Sequence, residues 1–129
     1  MSASGDMLIL SEDTMIKLLD RVEPKTVLHH CRELGLESKT VSACLGVHAK
    51  TLQRWKDGSA QPNETIWRML EKLEVVCQAA LRLLKPDARK SWFQAPNATL
   101  GGERPMELLR RGEIDQVRNV LGMLEWGIY

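Results

Sequence analysis

The chain has 129 residues, 43% of them hydrophobic, enough for one compact domain or two small lobes with a buried core. That composition excludes disordered and collagen-like chains, and no apolar run approaches the roughly 18–20 residues of a membrane-spanning helix. The 18 basic and 17 acidic side chains nearly cancel, which excludes a global basic field that would draw in nucleic acid or membrane.

Charge is nonetheless uneven. Residues 1–37 hold four basic and seven acidic side chains, a local −3, whereas over 38–58 Lys39, Lys50, Arg54 and Lys56 face only Asp57, a local +3. Three cysteines, Cys31, Cys44 and Cys77, form no Cys-x-x-Cys pair and argue against a disulfide framework or a zinc ribbon. The start of the chain lacks basic residues, and Met7-Leu8-Ile9-Leu10 is too short for a signal-peptide core. A soluble, reduced, cytoplasmic protein with no membrane partner is expected.

Helical periodicity runs through nearly the whole chain, and strand-like alternation is missing. Ser11 caps a first helix carrying the stripe Met15, Leu18, Leu19 and Val22. Pro24 breaks it and opens a second helix with Val27, Leu28, Cys31 and Leu34, ended by Gly35. Two short helices follow, over 38–45 and 48–57, separated by Gly46. The segment Gly58 to Asn63 reads as a loop that caps the next helix, predicted over Glu64 to Leu84. There Ile66, Leu70, Leu73, Cys77, Leu81 and Leu84 form the stripe, and Trp67, Met69, Val76 and Ala80 widen it. So wide a face suits a helix buried on two sides. Lys85-Pro86 stops it, and a short helix over 86–93 ends in Trp92-Phe93. After a loop from Ala95 to Gly102, Pro105 restarts helix over Met106, Leu108 and Leu109. Gly112 then punctuates, and Ile114, Val117, Leu121 and Leu124 mark the last amphipathic helix, with Gly127 as its stop. The expected fold is all-α, with about seven or eight helices. An N-terminal lobe, 1–62, is joined by the long helix to a C-terminal lobe, 63–129.

Residues 38–57 have the spacing of a DNA-reading helix-turn-helix of the Cro/repressor kind. Counting Ser38 as position one, small Ser42 is fifth, where the two helices touch, and Gly46 is ninth, at the turn. Val41, Leu45, Val47, Leu52 and Trp55 point inward. That leaves His48, Ala49, Lys50, Gln53 and Arg54 on the outer, N-terminal face of the second helix, the part that enters a major groove. Gln53 can pair with adenine, and Arg54 or Lys50 with guanine. Lys39, Thr51 and Lys56 are candidates for phosphate contacts.

The stretch from Trp92 to Leu109, with Pro96-Asn97, Leu100-Gly101-Gly102 and Pro105-Met106-Glu107-Leu108-Leu109 in that order, ends in Glu125-Trp126-Gly127-Ile128-Tyr129. With the helix-turn-helix it resembles, over about residues 25–129, the Xre/MbcA/ParS antitoxin family and its C-terminal toxin-binding domain. Phe93 stands where leucine is common in that family, and Trp126 where histidine is common. The resemblance implies a type II antitoxin that binds and neutralises a RES-domain toxin, a family that attacks nicotinamide adenine dinucleotide or transfers ADP-ribose from it. It also implies repression of the protein's own operon.

The residues themselves are compatible with this. Leu100-Gly101-Gly102 lets backbone approach another surface closely, and Arg104 is held extended by Pro105. Trp126, Ile128 and Tyr129 put large apolar groups at the end of the chain beside Glu125, and the Tyr129 carboxylate adds an anion. The expected toxin-binding set is Asn97, Leu100, Gly101, Gly102, Arg104, Glu125, Trp126, Ile128 and Tyr129, although Trp126 and Tyr129 could instead fold back over the last helix. Trp92 and Phe93 read as plugs between helices, Trp55 as core, Trp67 as core or a dimer contact, and Arg110-Arg111 as a solvated face.

No nucleophile motif, phosphate-cradling loop or ligand set supports catalysis, a cofactor or a metal. His29 and His30 are adjacent on a helix and point ~100° apart. The competing expectation is a helix-turn-helix regulator whose C-terminal lobe only dimerises. Either way, operator DNA is an expected partner and a homodimer is expected, since such motifs read paired half-sites. With toxin, a larger hetero-oligomer would form.

Overall fold

Pro24 occupies the first position of helix α1 (Pro24–Glu33), where its fixed φ suits the helix and its missing amide costs no hydrogen bond. The computed structural model describes residues 21–127. The helix expected from Ser11 lies outside them, apart from Val22, and so do Ile128 and Tyr129. Six further helices follow: α2 (Ser38–Leu45), α3 (Ala49–Asp57), α4 (Glu64–Leu83), α5 (Arg89–Gln94), α6 (Pro105–Arg110) and α7 (Ile114–Glu125). No strand occurs among the described residues, only an isolated bridge between Asn97 and Glu103. The all-α expectation holds. None of the described helices is long and apolar enough to cross a membrane.

The boundaries follow local chemistry. Asn63 caps α4 by accepting a hydrogen bond from the Ile66 amide at 2.9 Å. Gly46 ends α2 at φ 68°, a left-handed conformation that a Cβ would disfavour. The single helix expected over 86–93 is instead a 3-10 turn, Pro86–Ala88, running into α5. Pro86 starts that turn without an amide to donate, and Ala88 leaves ideal helical geometry at φ −97° and ψ −13° before α5 begins.

α4 is the spine. Leu70, Leu73, Val76, Cys77 and Ala80 are buried along it, with α1 against one side and α7 against the other, the two-sided burial its wide apolar face calls for. Each fully buried leucine contributes ~1.5–3 kcal/mol by leaving water. The ion pairs Lys72–Asp115 (3.2 Å) and Arg82–Glu125 (3.0 Å) join α4 to α7 in solvent, where such a pair contributes about 0–1 kcal/mol. Apolar packing therefore dominates this seam. One hydrophobic cluster runs from Val27 and Leu34 through Leu52 and Trp55 to Phe93, Leu108 and Leu121.

α2 lies directly against α6. Among the described residues Thr40 is the one buried polar residue, and the Arg110 guanidinium reaches its hydroxyl at 3.4 Å. Gly112, in the turn after α6, approaches the Cys44 carbonyl, which a Cβ would meet at 3.5 Å. The three thiols are free and buried. Cys31 and Cys77 sulfurs lie 3.7 Å apart, and burial pushes the Cys44 thiol up to about 12.

Candidate functional site

Two surfaces gather the candidate residues, one on α3 and one at the α6–α7 end. α3 begins after His48, which is extended at φ −76° and ψ 154° and makes no side-chain cap. The Ala49 and Lys50 amides therefore have no side-chain cap, whereas the Thr51 amide donates to the His48 carbonyl at 2.9 Å. Leu52 and Trp55 bury the inner side of α3, as their spacing predicts. His48, Ala49, Lys50, Gln53 and Arg54 are all exposed. Helical geometry brings Lys50, Gln53 and Arg54 onto one outward stripe.

Thr51 and Lys56 differ from these. Both are half-buried on the flanks, and Lys56 lines a shallow cleft with Leu28, Arg32 and Val41, on the side of α3 turned toward α1 and α2. Lys39, on α2, is exposed and only loosely paired with Glu37 at 3.7 Å. Ser42 is half-buried and its hydroxyl donates to the Lys39 carbonyl at 3.1 Å, which frees the helix contact of an unpaired polar group. Asp57 falls on the same stripe as Lys50 and Arg54, one turn further on. The Ser59 hydrogen bond at 3.0 Å holds its carboxyl below the usual range, and Arg54 adds to this.

The second surface is built around the loop between α5 and α6. The Asn97 side chain accepts from the Thr99 amide at 2.9 Å and starts a 3-10 turn, Ala98–Leu100. Its backbone amide and carbonyl pair with Glu103 and Gly102 at 3.0 and 2.9 Å. Asn97 thus shapes the loop, and Leu100 is half-buried against the core. Gly101 and Gly102 are exposed at φ 68° and 85°, and a Cβ on either would meet nothing. Backbone conformation, rather than crowding within the chain, requires glycine there. Arg104 is exposed and extended (φ −81°, ψ 137°), as Pro105 dictates.

Arg111 braces this loop. It donates to both Glu103 oxygens at 2.9 and 2.8 Å and to Glu113 at 2.8 Å. These bonds hold the Glu103 carboxyl below its ordinary value and the guanidinium above its own. Arg110-Arg111 is therefore no free basic face, since Arg110 is also committed, to Glu107 at 2.9 Å and to Thr40. Of these links only Glu107–Arg110, three residues apart on α6, follows a local spacing.

At the end of α7, Arg82 holds Glu125 at 3.0 Å, a pairing across 43 residues that no local pattern announces. Trp126 is 81% exposed, so its ring does not fold back over the last helix. Phe93 is a buried plug and Trp92 a half-buried one, their rings edge to face at 5.0 Å. Trp67 is half-buried, donating from Nε1 to the Val22 carbonyl at 3.0 Å with Arg21 stacked 4.5 Å above its ring. The two adjacent histidines have separate partners, His29 with Glu33 at 2.7 Å and His30 with Glu74 at 2.9 Å. Among the described residues no group of three or more His, Cys, Asp or Glu side chains is placed to hold a metal ion.

Comparison with known proteins bears on the second surface most directly. Residues 79–127, which include the braced loop, α6, α7 and Trp126, match the family described as the antitoxin Xre/MbcA/ParS C-terminal toxin-binding domain. The mycobacterial cidal antitoxin MbcA of Mycobacterium tuberculosis and of Mycobacterium bovis is 26% identical over 104 residues, 81% of this chain and 92% of the relative. A probable mycobacterial cidal antitoxin of M. tuberculosis is 26% identical over 116 residues, 89% of this chain and 99% of the relative. Among solved structures, a chain of the crystal structure of the M. tuberculosis MbcT–MbcA toxin–antitoxin complex superposes with a TM-score of 0.67 at 26% identity, covering 84% of this chain and 97% of that one. The chain thus carries an Xre/MbcA/ParS C-terminal toxin-binding domain over residues 79–127 and is similar to the MbcA antitoxins over most of its length.

Proposed function

We propose that this chain neutralises a RES-domain toxin acting on nicotinamide adenine dinucleotide, and represses its own operon through α3. The observation that carries the first part is Trp126, 81% exposed at the end of α7 within the matched toxin-binding segment. A large aromatic left in water at a helix end loses little entropy on docking and supplies much contact area. Arg82 fixes the residue before it, and Arg104 offers an extended donor on the braced loop. Gly101 and Gly102 leave backbone bare for a partner to approach. The tail from Glu125 onward, with Ile128 and Tyr129, caps or enters the toxin's cofactor cleft. Docking there excludes substrate, and no chemistry by this chain is needed.

The repressor part rests on the outward stripe of Lys50, Gln53 and Arg54 at an uncapped helix start. Arg54 and Lys50 suit guanine edges, Gln53 suits adenine, and Lys39 suits a phosphate. Because one short helix makes few contacts, useful affinity needs two copies of α3 on paired half-sites, hence a homodimer. Residues 1–62 then carry DNA binding and 63–129 toxin binding, with the packing of α2 on α6 joining the two.

The test is co-expression with the neighbouring gene, followed by pull-down and a growth assay. A stable complex that restores growth is expected. If the neighbouring product is not toxic and forms no complex, the chain is instead a helix-turn-helix regulator whose C-terminal lobe only dimerises.

A further inference from the structure

An open groove of about 750 Å³ runs along the solvent side of α4 beside α7, away from both α3 and the braced loop. Its floor is small and apolar: Val75, Ala79 and Gly122. Val75 is 48% exposed, and Gly122 sits inside α7 without a positive φ, where a Cβ would meet nothing. A glycine within a helix is less stable than alanine, and what it offers in return is room for another segment to come close.

The described residues begin at one end of this groove, since Arg21 and Val22 line it and Arg21 pairs with Glu64 at 2.8 Å. Residues 21–23 are non-helical, and α1 then runs alongside α4 in the same direction. The Val22 carbonyl accepts from Trp67, and eight residues further on His30 meets Glu74. A helix joined to α1 through so short a link turns back antiparallel to it, along α4. The sequence predicts such a helix from Ser11, with Met15, Leu18 and Leu19 on one face. Met15 is seven residues before Val22, about 10 Å along a helix, and Val75 is eight residues beyond Trp67, about 12 Å, so the two fall level.

Charge points the same way. Residues 1–20 carry Asp6, Glu12, Asp13 and Asp20 against Lys17 alone, a net −3. On the groove walls Arg21, Glu74 and Arg82 have partners, whereas Arg68, Arg118 and Glu71 make no ion pair or side-chain hydrogen bond among the described residues. Those three leave a net +1 facing the groove, the sign that suits an acidic segment. The pairs Lys72–Asp115 and Arg82–Glu125 keep α7 in step with α4, so Arg118 is level with Val75. An antiparallel helix then brings Asp13 beside Arg118 and Lys17 beside Glu71. We infer that residues 11–20 fold back as an amphipathic helix into the α4–α7 groove, with Met15 over Val75 and the start of the helix against Gly122. This strap forms with or without toxin and operator, and it leaves α3 and the braced loop uncovered.

The test is amide hydrogen exchange over residues 12–20 of the full chain, read by mass spectrometry. Ten residues of helix are marginal in water on their own, so protection there reports docking. Exchange at least ~10-fold slower than the intrinsic rates is expected, and Val75→Asp, with unchanged helical circular dichroism, is expected to abolish the protection. Met15→Asp, which alters no described residue, is expected to do the same. Arg118→Glu should reduce protection, and Asp13→Arg added to it should restore part. Intrinsic exchange rates in the wild type overturn the strap. Protection that Val75→Asp leaves unchanged places the segment elsewhere and overturns it too. Protection that fades on dilution assigns the cover to a second copy. If Val75→Asp loses toxin in pull-down with protection unchanged, the groove belongs to the toxin, and either result likewise overturns the strap.

Discussion

Arg82 on α4 and Glu125 at the end of α7 meet at 3.0 Å, one residue before the exposed Trp126. The pair sits in solvent, with side chains 56% and 46% exposed, so its contribution to stability is small. Its effect is directional, since it ties the last turn of α7 to the spine of the fold and so sets where the tail leaves. Arg82→Ala is expected to change stability by less than ~1 kcal/mol while weakening toxin binding, read by calorimetric unfolding beside titration with the purified toxin. Equal losses in both would assign the pair to folding instead.

Operator binding tests α3. Lys50→Ala and Arg54→Ala should each weaken it by about 1–3 kcal/mol and relax the preference at one base position. Lys56→Ala should do little, because Lys56 is half-buried on the flank of α3 turned toward α1 and α2. Fluorescence anisotropy across a set of single-base operator variants separates these cases, and a dominant role for Lys56 would contradict the proposed reading of bases by Lys50 and Arg54.

Most of the helical frame is legible in the sequence because its punctuation is local. Pro24, Gly46, Asn63, Pro105 and Gly112 each act within one turn, and they mark the boundaries of α1, α2, α4, α6 and α7. The stripes on α4 and α7 likewise name their buried faces, Leu70 to Ala80 and Ile114 to Leu121. What stays hidden is long-range or three-dimensional. Arg82 with Glu125, Arg110 with Thr40 and Arg111 with Glu103 depend on how helices dock, and charged residues recur too often for spacing to select a partner. The same limit hid that Lys56, a phosphate candidate by spacing, is half-buried on the flank of α3, and that the Asn97 side chain shapes its own loop.

The loop carrying Gly101 and Gly102 should loosen in acid. Arg111 lowers the folded-state pKa of Glu103 below its ordinary 4.5, so the bond it stabilises is fully present above that value and is lost as pH falls through the lowered one. Amide exchange at Gly102, whose N–H is bonded to the Asn97 carbonyl at 2.9 Å, is expected to speed up, relative to its intrinsic rate, between about pH 5 and pH 3. Arg111→Ala should show fast exchange at both. Acid-insensitive protection in the wild type would remove Arg111 as the brace.

The thiols report on the core. Cys31, Cys44 and Cys77 are all buried, and desolvation raises Cys44 to about 12, with Cys77 also raised, chiefly by its hydrogen bond with Cys31. Thiolate is the reactive form, so alkylation of the native protein by iodoacetamide near pH 8 should be slow and should accelerate on unfolding in urea. Fast labelling of Cys44 in the folded chain would contradict the packing of α2 against α6.

Toxin docking at the α7 end is tested most directly by titrating the purified neighbouring toxin with wild type and with Trp126→Ala. Trp126 is 81% exposed, so the variant should melt within about 0.5 kcal/mol of wild type. It should nevertheless bind the toxin at least ~2 kcal/mol more weakly and fail to restore growth. Undiminished binding and full protection by Trp126→Ala would contradict neutralisation through the end of α7.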